Sequence, residues 1–222
     1  MNQFETIAEL IHAVFETRTK ARDNALSQTR TLTRKCAHAI RAIHRDELQL
    51  AKQNLDEARQ LVKRLLNDLS EYPELLYAGY TQDALKEFAE ASIVYALIGS
   101  DLLPTPQDLG IEVSTYTNGL AETVGELRRR CLDILRHGYS EEAERLLNHM
   151  DDIYAVLITM DYPDAITGGL RRQTDIVRSL LERTRGDLTL SLRQQHLEDK
   201  IQNLEIRFDS DQKSTTSKSS EG

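Results

Sequence analysis

The chain has 222 residues, 40% of them hydrophobic and 29% charged, with a net charge of −8. That is the composition of a folded protein of one domain or two small ones, not of a disordered chain. Ten Gly, four Pro, 5% aromatics and no Trp exclude a β-sandwich or barrel, which needs turn residues and aromatic strands. No apolar stretch approaches the roughly 18–20 residues of a membrane span, the nearest being Ala91–Ile98. The start, MNQFETIAEL, is acidic and lacks the basic and apolar regions of a signal peptide. Cys36 and Cys131 have no metal-ligand spacing and read as free thiols, so a cytoplasmic location is expected.

No Gly or Pro occurs before Pro73, and the apolar residues recur with a helical period. The first helix is predicted at about 4–44. Between Arg18 and Arg45 it carries eight basic side chains against Asp23 alone, a local +7 that leaves −15 for the rest of the chain. At about 100° per residue, Arg34, His38, Arg41 and Arg45 fall within roughly 80° of Arg30. Leu32, Cys36, Ala39, Ile40 and Ile43 cluster on the opposite side. One face packs, and the other is a basic stripe about 22 Å long that can follow a phosphate backbone. The plain alternative is a solvated helix face.

A second helix follows at about 46–70 and a third from Pro73 to Ile98, ended by Gly99 and Ser100. In the third helix, eleven of the fifteen residues from Ala84 to Ile98 are apolar or Tyr and surround the axis, the mark of a buried helix. Glu87 and Glu90 interrupt it at i,i+3 and point to one side. Two carboxylates facing a packed interior require a cation or a proton. A short fourth helix is predicted near Pro106–Gly110 and a fifth at about 113–137. The fifth holds Glu122 and Glu126 at i,i+4, with Gly119 and Gly125 removing bulk beside them. Four carboxylates from two antiparallel helices can hold one or two Mg²⁺ or Mn²⁺ ions. Alternatively, Glu122 and Glu126 pair with Arg128, Arg129 or Arg130. A sixth helix at about 140–160 and a seventh at about 166–203 complete an all-α bundle of seven helices, the long ones antiparallel. Gly186 is a place where the last helix could kink or stop. Residues 1–205 then form one helical domain, and 206–222 a disordered polar tail.

Several motifs, taken together in order, resemble the translin/TRAX family over about residues 5–200. The run KARDNALSQTRTLTRKCAHAIRAIHR, ending in Ile40, His44 and Arg45, is similar to that family's arginine-rich first helix. Leu85–Ala91 is similar to the Glu-aromatic-x-Glu-Ala stretch of the TRAX branch, and Gly119–Leu127 to the family's Gly-x-x-acid-x-x-Gly-Glu-Leu segment. Arg185–Gly186 falls near the end of the last helix, as in both branches. The resemblance implies closed octameric shells of a single-stranded nucleic-acid-binding protein with acids and basic helices facing inward. By this resemblance Glu87, Glu90 and Glu126 fall on TRAX acidic positions, while Glu122 stands where TRAX has Asp. The long TRAX insertion before the fifth helix is missing, so self-assembly is expected.

These observations support an Mg²⁺- or Mn²⁺-dependent endoribonuclease acting on single-stranded RNA and also binding single-stranded DNA. Glu87, Glu90, Glu122 and Glu126 would be its metal-binding and catalytic acids. Arg30, Arg34, His38, Arg41, His44 and Arg45 would bind nucleic acid. A non-catalytic binding scaffold is the second reading. A nucleotide pyrophosphohydrolase of the all-α MazG type is the third, weakened because the second pair is spaced i,i+4 where that type wants i,i+3.

Overall fold

The computed structural model describes residues 2–99 and 102–218. Among the described residues there are nine helices and no strand: α1 (Gln3–His44), α2 (Leu48–Asp68), α3 (Pro73–Leu76), α4 (Gly79–Gly99), α5 (Pro106–Leu109), α6 (Val113–Leu135), α7 (Glu141–Leu157), α8 (Asp164–Thr167) and α9 (Leu170–Lys218). The all-α class is as predicted, with two more helices than the expected seven. The predicted third helix is divided at Tyr77–Ala78 into α3 and α4. The predicted seventh is divided at Gly168 and Gly169, whose φ angles of 65° and 85° end α8 and turn the chain into α9, conformations that favour glycine. Ser100, an expected stop for α4, lies outside the described residues.

The long helices alternate only in part. Gln28 donates to Asp68 at 2.7 Å and Lys35 sits 2.6 Å from Glu57, so α1 and α2 are antiparallel. Lys86 of α4 reaches Glu122 of α6 at 2.8 Å, and Thr115 of α6 bonds Gln82 of α4; numbers rise together, so these two helices are parallel. α9 also runs with α6: Gln173 donates to Glu122 at 3.5 Å and Arg128 to Thr184 at 2.8 Å. The acid-bearing pair is therefore parallel, not antiparallel as expected. The segment containing α5 returns the chain from the end of α4 to the start of α6. It is tied down where Tyr116 donates to the Pro104 carbonyl (2.8 Å) and Arg59 to the Asp108 carbonyl (3.0 Å).

The main core cluster buries Leu32, Leu65, Leu85, Phe88, Ile93, Leu127, Leu146 and Met150, and a smaller one joins Ala42, Ile43, Ala51 and Val94. Leu32, Cys36, Ala39 and Ile43 are buried and Ile40 partly so, the face of α1 predicted to pack. Beyond this core both ends of the bundle overhang. Residues 3–20 of α1 are exposed, including Phe4, Leu10 and Phe15, and so are Leu197, Ile201 and Leu204 of α9. α9 passes Gly186 without interruption and continues to Lys218, into the segment predicted to be a disordered tail. No Gly or Pro lies between Gly186 and that end, so nothing local stops a helix already nucleated. Residues 219–222 lie outside the described residues. No described helix is long and apolar enough to cross a membrane.

The α4–α6 contact is made at Gly119. A Cβ there would come within 2.7 Å of Ala89 Cβ and 2.8 Å of the Lys86 carbonyl oxygen. A Cβ at Gly125, expected to permit a similar approach, would meet no neighbouring element within 4 Å among the described residues. Gly119→Ala is expected to cost about 1–3 kcal/mol through overpacking, and Gly125→Ala to gain up to about 1 kcal/mol from helix propensity. Thermal melts will read this as shifts of opposite sign; equal shifts would contradict the packing assignment.

Candidate acidic site

Because α4 and α6 are parallel and touch at Gly119, their exposed flanks share one side, which the C-terminal half of α1 borders. Glu87 and Glu90 come from α4, and Glu122 and Glu126 from α6. All four are half-buried. Glu126 Oε2 lies 2.5 Å from His44 Nε2 and 3.5 Å from Arg129. Its pKa is held below the usual carboxylate range, first by the His44 hydrogen bond and further by the Arg129 charge. Glu122 is paired with Lys86 at 2.8 Å, with the Gln173 amide at 3.5 Å. Burial acts against the Lys86 charge, yet its hydrogen bond to Glu122 and the nearby carboxylates hold its pKa above the ordinary value.

Glu87 is pushed upward by burial, partly offset by Lys86 and by a hydrogen bond from Thr33. Glu90 differs in kind. Among the described residues it makes no hydrogen bond or ion pair. Burial, then the charges of Glu122, Glu126 and Glu87, push its pKa to about 8. Cys36 closes the α1 side, its thiol raised by burial and by Glu87 and Glu90, so it stays protonated. The four predicted acids are thus brought to one electrostatically coupled place.

The predicted nucleic-acid residues divide. Arg30, Arg34, His38, Arg41 and Arg45 are exposed, on the stripe as predicted. His44 is not with them: its side chain is only 5% exposed and turned onto Glu126. The reason is angular. His44 falls about 40° and Thr33 about 60° to the other side of Arg30, the flank of α1 that meets α4 and α6. The arginine stripe and the acids are therefore neighbours along one helix. Arg128 and Arg130 do not neutralise the acids: Arg130 holds Asp46 at 2.5 Å and Arg128 donates to Thr184. Lys86, Thr33 and Gln173 escaped the sequence reading. Lys86 alone left a signal, as a third charge in an otherwise apolar helix.

The donor set is all carboxylate oxygen, suited to a hard divalent cation such as Mg²⁺ or Mn²⁺. Among the described residues no three His, Cys, Asp or Glu side chains already stand in ligand geometry around one point. Lys86 and His44 occupy two of the acids, and a cation would have to compete with both.

No family model matches the chain. The uncharacterised protein MJ0175 of Methanocaldococcus jannaschii is 34% identical over 187 residues, 83% of this chain and 82% of its own. AfC3PO, solved alone and with duplex RNA, is 32% identical with a TM-score of 0.76, the match covering 83% of this chain and at least 95% of that one. NeC3PO in its apo form, at 18% identity and a TM-score of 0.75, matches 86% of this chain and 98% of its own, and shows the fold alone. Fold and relatives define a translin-type helical protein. The chain belongs to the translin/C3PO family.

The Glu90 shift sets a pH dependence. Unfolded, this carboxyl titrates near 4.5; folded, near 8. Between those values the unfolded state binds fewer protons, so stability falls as pH rises through the window. In EDTA, the melting temperature of Glu90→Gln is expected to fall less between pH 5 and 8 than that of the wild type. Parallel pH profiles would show that Glu90 is not the group under strain.

Proposed function

We propose that the chain is a nucleic-acid-binding protein that cleaves single-stranded RNA with Mg²⁺ or Mn²⁺. The observation that carries this reading is the half-buried Glu90, without a hydrogen-bond or ion-pair partner among the described residues, among three further carboxylates and beside an exposed arginine stripe. Glu87, Glu90, Glu122 and Glu126 would hold the cation. When bound, it supplies an activated water and stabilises charge on the phosphoryl oxygens. Arg30, Arg34, His38, Arg41 and Arg45 would hold the backbone by charge. His44, on the acidic side of the same helix, orients Glu126. Lys86 pairs with Glu122 until a cation displaces it. The AfC3PO complex with duplex RNA supports a nucleic-acid partner and makes duplex RNA, beside single-stranded DNA, a substrate to compare.

A homo-oligomer is part of the reading, by family resemblance an octamer. The exposed apolar residues of the α1 overhang, Phe4, Ile7, Leu10, Ile11, Val14 and Phe15, support it, since such a stripe is stable when covered. The buried free thiols Cys36 and Cys131 suit a reducing cytoplasm.

One observation favours a second reading, a binding scaffold without catalysis: Lys86 and His44 already satisfy two of the four acids. A single experiment separates the two. Labelled single-stranded RNA, duplex RNA, single-stranded DNA and a nucleoside triphosphate are incubated with Mg²⁺ or with EDTA, using the wild type, Glu90→Gln and Arg34→Ala/Arg41→Ala. Mg²⁺-dependent RNA cleavage is expected to fall by at least about a hundredfold in Glu90→Gln, with RNA affinity retained. The arginine variant is expected to bind more weakly, its log–log salt slope reduced by about 0.7 per lost contact. Tight RNA binding with no cleavage by the wild type would establish the scaffold instead.

A further inference from the structure

A cavity of 320 Å³ opens immediately below the acids, between the start of α4, the start of α6 and the α8–α9 junction. That volume is at the lower end of the range for small-molecule sites. Its inner wall is Lys86 and Gln173, the residues that hold Glu122. Two further walls are fixed by satisfied polar groups. Asn118 is buried and its amide donates to the carbonyls of Ser114 (2.9 Å) and Thr167 (2.7 Å). Gln82 donates to the Leu76 carbonyl (2.8 Å) and accepts from the buried Thr115 hydroxyl. Gly168 completes the wall in a left-handed conformation, where a Cβ would meet Asn118 Nδ2 at 3.3 Å.

The mouth is different. Tyr77 is 58% exposed, and its hydroxyl donates only a long 3.4 Å bond to Glu112. Asp83 is exposed, and among the described residues its one ion-pair partner is Lys86, at 3.7 Å. The groups at the mouth with hydrogen-bonding capacity to spare are the carboxylates of Glu112 and Asp83, both acceptors, and the Ser114 hydroxyl, which can donate or accept, beside the exposed ring of Tyr77. A complementary ligand is flat and presents N–H donors. Resting on the RNA reading above, we propose that this cavity is a base pocket that selects guanine for the nucleotide beside the acidic site. Tyr77 offers the stacking surface. Guanine alone among the four bases offers two adjacent donors, N1–H and the N2 amino group, matching one carboxylate as a guanidinium does. Glu112 is the residue placed to accept them. Uracil offers a single donor, N3–H, and flanks it with two carbonyl oxygens that would face the same carboxylates.

The test uses the full chain in EDTA, titrated with guanosine, inosine and uridine 5′-monophosphates and followed by NMR. Guanosine monophosphate is expected to bind at least tenfold more tightly than the other two, inosine lacking the N2 amino group. Glu112→Gln is expected to abolish the preference and Tyr77→Ala to weaken guanosine monophosphate, both with unchanged melting temperatures. Alongside, UUXUU pentamers with each base at X are incubated with Mg²⁺ and their cleavage mapped, with guanine expected to fix the position of the cut. Equal affinities, no binding, or a preference that survives Glu112→Gln would overturn the pocket. Cleavage indifferent to X alongside such a result would leave the ribonuclease reading standing while the pocket fell. Guanine-selective binding without cleavage would do the reverse.

Discussion

At Gly119 the backbone of α6 lies so close to α4 that no side chain fits between them. Two helices held in parallel at that separation bring their flanking carboxylates together whether or not the charges favour it. Packing of Leu85, Phe88, Ala89, Val124 and Leu127, all buried, outweighs the repulsion among the four glutamates. The rest of the site is a response to that enforced proximity. His44 takes Glu126, Lys86 takes Glu122 and Thr33 takes Glu87. Glu90, deepest in charge terms, is left to burial and three like charges.

α1 links this acidic site to the surface. Its angular positions divide into three strips: one packs on α2 and α4, one touches the acids through Thr33 and His44, and one exposes arginines. A polyanion held along the arginines would pass beside carboxylates that repel it unless a cation intervenes. Strong local fields of both signs therefore sit within one helix width, although the whole chain carries only −8.

Much of this was legible in the sequence because it depends on period and composition. The all-apolar surround of α4 marked Glu87 and Glu90 as buried, and the 3.6-residue period separated the packed face of α1 from the stripe. Directions between helices were not legible. Whether α4 and α6 run together depends on the crossover through α5, and Pro104–Thr105–Pro106 says only that the chain turns. His44 was misplaced because a wheel centred on Arg30 puts it near the stripe's edge, and only the neighbouring helix decides which side of the edge it serves. Gly119 and Gly125 look alike in sequence, yet one is a contact and the other an open position. The Gly168–Gly169 break was hidden for a similar reason: what forces it is a left-handed turn against Asn118, a residue fifty positions away.

The central claim is that the four carboxylates form a cation site that is incomplete without its ion. Titration of Mn²⁺ into the chain at pH 8, followed by electron paramagnetic resonance, tests it without requiring any substrate. Saturable binding in the wild type, lost in Glu90→Gln and in Glu126→Gln but kept in Arg34→Ala, is the predicted result. Absence of saturable binding, or binding that survives both glutamate substitutions, would contradict the account.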